Sequence, residues 1–147
     1  MAVHRIDPPA LATPVRNLYS QVTVSAPGDR LVAIAGQVAL DTDGALVGAG
    51  DVAAQAEQAF RNLRAALEAA GGTPADLLKY TIHVVGSTPD LIEPVFDALR
   101  RAFGEVPLAA STWVGVAALA LPEWLVEVDG LAAIGSRPHR TTERTTP

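Results

Sequence analysis

A chain of 147 residues has the length of one domain with one core, and with 49% hydrophobic but only 5% aromatic residues that core must be built mainly from Ala, Val and Leu. A formal charge of −5 opposes binding to a phosphate backbone, so no nucleic-acid partner is expected; Arg61, Arg64, Arg100, Arg101, Arg137, Arg140 and Arg144 read as solvated helix faces and a loose tail. Cysteine is absent, which excludes disulfides, thiolate nucleophiles and cysteine metal sites, and no apolar run approaches the ~20 residues of a membrane span.

Residues 1–17 are Pro-rich and non-periodic, with His4, Arg5 and Asp7 and no apolar h-region. They read as an extended arm on the domain, not as a secretory signal, and the expected location is cytoplasmic. Tyr19 to Val24 alternates weakly, as a half-buried strand does, and Ala26-Pro27-Gly28-Asp29 is a turn. Leu31 to Ala35 is a short apolar run that predicts a buried strand, closed by the Asp41-Thr42-Asp43-Gly44 turn. A helix is predicted from Asp51, which can cap its start, to about Ala70, with Gly71-Gly72 ending it. Ala56, Phe60, Leu63, Leu67 and Ala70 form its buried stripe; Gln55, Gln58, Arg61, Asn62 and Glu68 take the other faces.

Leu78 to Val85 is rich in Thr, Ile, Tyr and Val and predicts a strand. Thr88-Pro89-Asp90 starts a second helix, in which Pro94 kinks or delays the regular part, and Gly104 ends it. Its stripe is Leu91, Val95, Leu99 and Ala102, with Ile92, Phe96 and Phe103 beside it. Two further strands are predicted, Ser111 to Ala118 and Trp124 to Ile134. The order β-β-α-β-α-β-β makes an α/β sandwich, one mixed sheet with two helices on one face. Val32, Val84, Val114, Val116, Val126 and Val128 make the other face too apolar for water, and self-association is expected to cover it. Residues 136–147 have almost no apolar side chains and are expected to be a disordered tail.

Four stretches in this order and spacing are specific together: Ile34-Ala35-Gly36-Gln37-Val38; Gln55, Ala59, Asn62 and Leu63 with Leu67-Glu68-Ala69-Ala70-Gly71; Leu78 to Val85; and Val114-Gly115-Val116-Ala117-Ala118-Leu119 followed by Leu125-Val126-Glu127-Val128. Over residues 18–135 the chain resembles the RidA/YjgF family of imine and enamine deaminases. The resemblance implies a chorismate-mutase-like fold, a homotrimer whose sheets pack into a central barrel, and small-molecule clefts between subunits. In such clefts an arginine forks onto the substrate carboxylate and a glutamate positions a water. Backbone groups beside the Gly-Gln pair and an N-terminal tyrosine complete the pocket, and neither metal nor organic cofactor is required.

Carried over by residue, Gly36, Gln37, Tyr19 and Glu127 match this pattern, with Glu127 as the catalytic candidate and Tyr19, Gly36, Ser111 and Trp113 as the substrate-binding candidates. The arginine does not match. Ser111 occupies its position, and no arginine or lysine occurs between Arg101 and Arg137. Ala35 replaces a serine, and Phe96 stands where many members carry asparagine. An efficient 2-aminoacrylate deaminase is therefore not expected. Arg16 is the one nearby cation to stand in for the lost group.

Each candidate has a plainer reading. Glu127 and Asp129 alternate with valine and glycine, as outward positions of any strand do; His83 is either a packed imidazole or an acid/base group; Trp113 and Trp124 line the cleft or fill an interface. Ser111 and Thr112 hydrogen-bond or pack, since no Gly-x-Ser-x-Gly elbow supports a nucleophile. The three histidines suggest no metal site. Two functions follow: a hydrolase acting on an imine, enamine or related molecule without the usual carboxylate anchor, or a non-catalytic trimer that binds a small molecule or a partner.

Overall fold

The structure is a computed structural model that describes residues 3–135; the tail expected at 136–147 lies outside them. Among the described residues the strands are β1 (His4–Ile6), β2 (Val22–Val24), β3 (Arg30–Gln37), β4 (Leu77–Val85), β5 (Ala110–Val116) and β6 (Val126–Ile134), and the helices are α1 (Val52–Ala69) and α2 (Ile92–Phe103). The main sheet has the order β3-β6-β4-β5; β4 and β5 are parallel and the other pairs antiparallel. Both helices pack on one face of this mixed sheet, through Phe60, Leu63 and Leu67 of α1 and Val95, Leu99 and Phe103 of α2. With so few aromatics, the three that meet edge-on fill the centre: Phe60 lies 6.3 Å from Tyr80 and 5.4 Å from Phe103 between ring centroids. No described helix is long and apolar enough to cross a membrane.

Local chemistry sets the helix limits. The Asp51 side chain accepts from the Ala54 amide at 3.1 Å and starts α1, and Gly71 leaves it at φ +88°. Residues 89–91 form a single tight turn before α2, so Pro94 sits in the first turn of the regular helix, where its missing N–H has no intrahelical partner to lose. The Thr88 hydroxyl makes no capping hydrogen bond at this start.

Three expectations are corrected. The first predicted strand does not join the main sheet. Only Val22–Val24 is extended, and it pairs antiparallel with His4–Ile6 of the arm in a separate two-stranded ribbon. Arg5 holds that ribbon down, donating to the carbonyls of Val3 and Leu108 (both 3.0 Å) and of Ala75 and Pro107 (both 3.2 Å). Second, Gln55 is completely buried rather than facing solvent. Its Nε2 donates to the carbonyls of Gly48 and Glu123, and its Oε1 accepts from the Leu125 amide at 2.9 Å. A side chain with two donors and an acceptor thus pins two loops that a helix-face count assigns to water.

Third, the valines expected on the open face divide between the two faces. Val84, Val126 and Val128 are fully buried under the helices, and Val32 packs on the same core. The cross-strand register leaves on the open face the rows Glu127–His83–Val114 and Asp129–Thr81–Thr112, with Lys79 and Leu131 beyond. That face is mixed, not apolar, and Val3 of the arm packs with Leu78 and Ala133 at one end of it.

Candidate functional site

Strand β5 is the edge of the main sheet, and beside it on the helix side lies a cavity of about 180 Å³. Its walls are Val15, Arg16, Leu18 and Tyr19 from the segment before β2, Ile92 and Phe96 from α2, and Ser111 and Trp113 from β5. Three of the expected substrate-binding residues, Tyr19, Ser111 and Trp113, therefore meet in one place.

Each is held by an identifiable contact. The Trp113 ring stacks on Phe96, with centroids 6.3 Å apart and planes 19° from parallel. Its indole N–H donates to Ser87 Oγ at 2.8 Å, which fixes the ring and consumes its only donor. Gly115 makes this possible, because a Cβ there would come within 3.0 Å of the Ser87 Cβ. The Tyr19 hydroxyl accepts from the Val15 amide at 3.3 Å and clips the turn shut. Ser20 ties the same segment to the start of β5, its amide donating to Ala109 O at 3.1 Å and its hydroxyl to Leu108 O at 2.9 Å. Within the turn, Arg16 (φ 53°) and Asn17 (φ 54°) are left-handed, the only non-glycine residues with positive φ among those described. Ser111 lies opposite Tyr80 in the ladder. The Tyr80 phenol is buried without a well-aligned hydrogen-bond partner, and burial pushes it up to about 12, an effect the neighbouring Ser111 side chain only partly offsets.

Gly36 and Glu127 lie elsewhere. The ladder between β3 and β6 slips between Ile34 and Gln37, and this bulge brings Gly36 under the Glu127 side chain. A Cβ on Gly36 would stand 2.0 Å from Glu127 Oε1, so the carboxylate rests directly on the glycine backbone. Val126 and Val128 face the helices, which places Glu127 on the open face, across the sheet from the cavity. His83 is its cross-strand neighbour, with Nδ1 3.2 Å from the Glu127 carbonyl oxygen. Gln37 turns away and donates to its own strand at Ala35 O, 3.2 Å.

The expected residues thus fall into two groups, an apolar cavity with Tyr19, Ser111 and Trp113, and a carboxylate on glycine on the opposite face. Sequence reasoning did not place Ile92, Leu18 or Val15 in the cavity wall; a helix-face count assigns Ile92 to the core, and an irregular turn carries no periodic signal. Among the described residues no group of three or more His, Asp or Glu is arranged to hold a metal ion. The helix arginines are neutralised locally: Arg61 and Arg101 both reach Glu57, Arg64 reaches Glu68, and Arg100 reaches Asp97, at 2.6–2.9 Å.

The model of the family described as endoribonuclease L-PSP matches residues 10–134. Among solved structures, the Rid-family protein YyfB of Yersinia pestis, described as of unknown function, is 34% identical with a TM-score of 0.83, covering 91% of this chain and 100% of its own. RidA from the Antarctic bacterium Psychrobacter is 31% identical with a TM-score of 0.61, covering 79% of this chain and 88% of its own. A YjgF/YER057c/UK114-family protein of Mycobacterium tuberculosis is also 31% identical, with a TM-score of 0.56, covering 79% of this chain and 86% of its own. No functionally curated protein matches the chain. The mixed sheet with two helices on one face is the chorismate-mutase-like fold of these relatives. On the family model, on these likenesses and on the strand order, the chain is a member of the Rid (RidA/YjgF) family.

Proposed function

We propose that the protein hydrolyses imines or enamines with a bulky apolar or aromatic body, in a cleft that two subunits of a homotrimer complete. The observation that carries this reading is the split of the expected residues between the cavity beside β5 and the Glu127–Gly36 pair on the opposite sheet face. Neither half is sufficient. The cavity has shape and aromatic walls but no carboxylate within its lining, and Glu127, seated on Gly36, lines no part of that cavity. A neighbour that lays its open face against the β5 edge supplies the missing half to each.

The chemistry follows from the groups present. A protonated imine carbon is electrophilic, so water positioned by Glu127 attacks it and passes a proton to the carboxylate. The resulting carbinolamine takes that proton on nitrogen; as the C–N bond breaks and ammonia leaves, Glu127 accepts the hydroxyl proton and the carbonyl product forms. Tyr19 and the Gly36 backbone offer hydrogen bonds to the polar end, and Trp113 and Phe96 bind the apolar end by area. Ser111 has neither the charge nor the reach of an arginine, so a small carboxylate such as 2-aminoacrylate loses its strand-borne anchor. The −5 charge and the acid-paired helix arginines do not favour RNA as substrate.

Ammonia release from freshly generated imines tests the proposal. Wild type is expected to turn over aryl and branched-alkyl imines faster than 2-aminoacrylate, and Glu127→Gln to lose at least ~100-fold. The serine at the arginine position favours one rival, a trimer that binds a small molecule without chemistry. It requires no turnover in either form, and that result would sink the proposal.

A further inference from the structure

The cavity contains one charge that the hydrolytic reading does not use. Arg16 lines it, and its Nη1 reaches Glu93 Oε1 at 3.3 Å, with 45% and 53% of the two side chains exposed. An ion pair that is half in water is held weakly and exchanges readily. Every other wall residue of this cavity is apolar except Ser111 and the Tyr19 hydroxyl, which already accepts from Val15. The backbone that carries Arg16 is also unusual. Two successive non-glycine residues in the left-handed region are unfavourable, and the fold maintains them at the one turn that forms a cavity wall. Tyr19 holds that turn from one side and the Ser20 hydrogen bonds hold it from the other.

We infer that Arg16 supplies anion recognition to this cavity from the N-terminal segment, so that the preferred ligand is a flat aromatic monocarboxylate whose carboxylate takes Arg16 from Glu93. The inference rests on the cavity being the ligand site of the proposed function. The stacked Trp113 and Phe96 rings present an aromatic wall, and a volume of about 180 Å³ suits a single ring with a short side chain. A guanidinium at the rim offers two parallel donors to a carboxylate, a better match than the single 3.3 Å contact to Glu93. Glu93 then acts as an internal competitor. It keeps Arg16 neutralised when the cavity is empty and sets the affinity that an incoming anion must exceed.

Calorimetric titration of the full-length protein with phenylpyruvate and with phenylacetone, its analogue with methyl in place of carboxylate, reads this directly. Phenylpyruvate is expected to bind at least ten-fold more tightly, with an affinity that falls as salt rises. Arg16→Gln should abolish that ratio by weakening phenylpyruvate to the affinity of phenylacetone, and an unchanged melting temperature shows that the fold is intact. Glu93→Gln should tighten phenylpyruvate about three-fold or more by removing the competitor. Equal affinity for the two probes, no binding of either, or a preference that survives Arg16→Gln overturns the inference. The outcome is separable from the proposed function: imine hydrolysis without the phenylpyruvate preference removes Arg16 as anchor and leaves the hydrolase, whereas the preference without hydrolysis of any imine does the reverse.

Discussion

Replacing Gly36 with alanine isolates the placement of Glu127 from everything else in the fold. Gly36 does not have a positive φ, so alanine can adopt its backbone without strain. The difficulty is the added Cβ, which would lie 2.0 Å from Glu127 Oε1, 2.9 Å from Cδ and 3.1 Å from Cγ. Ordinary contact begins near 3.4 Å, so the carboxylate oxygen must retreat by roughly 1.4 Å. The side chain is only half-buried and can rotate away over the open face, at about 0.5–1.5 kcal/mol if it leaves its rotamer. Thermal unfolding should therefore move little. A water-positioning group displaced by more than an ångström typically costs about 100-fold in rate, or about 2.7 kcal/mol of barrier. The assay is kcat/KM for ammonia release from an aryl imine, run beside a melting curve and a crystal structure of the variant. A rate within two-fold of wild type, or a Glu127 carboxylate that keeps its place beside Ala at 36, would refute the reasoning.

Two further substitutions test how the site is supported. Tyr80→Phe removes a buried hydroxyl that lacks a well-aligned partner, so stability at neutral pH should stay the same or rise by up to about 1 kcal/mol. Because the folded-state phenol sits at about 12 against 10 unfolded, wild type loses stability as pH rises from about 10 to about 12, and alkaline denaturation curves should show that loss gone in Tyr80→Phe; an identical alkaline transition in both proteins counts against it. Gln55→Leu strands the Leu125 amide and the carbonyls of Gly48 and Glu123, and should cost about 2–4 kcal/mol in chemical denaturation. Amide exchange at Leu125 should accelerate with it, and unchanged exchange would show that the loop before β6 has another support.

Periodicity located the regular elements because it reports burial one residue at a time. The 3.6-residue stripe of Phe60, Leu63 and Leu67 and the alternation of Tyr80, Ile82 and Val84 are what the core buries. The same method failed wherever a polar side chain works inside the protein. Gln55 reads as solvent-facing in a helical wheel, yet its amide is buried against two loops that are distant in sequence. It failed again for β2, since three residues carry too little pattern to say whether their partner is β3 or the arm.

The candidate site divides along the same line. The sequence alone determined which residue types were available: a glutamate between valines, a Gly-Gln pair, an N-terminal tyrosine, and a stretch from 102 to 136 without arginine or lysine. These are matters of residue type and order, and the chain states them directly. Tertiary structure decided who faces whom. The bulge in β3 carries Gly36 under Glu127, strand alternation turns Glu127 away from Trp113, and a left-handed turn swings Arg16 into the cavity wall. Those relations depend on register, sheet face and the sign of φ at two residues, and none of these is encoded in the spacing of residues along a chain.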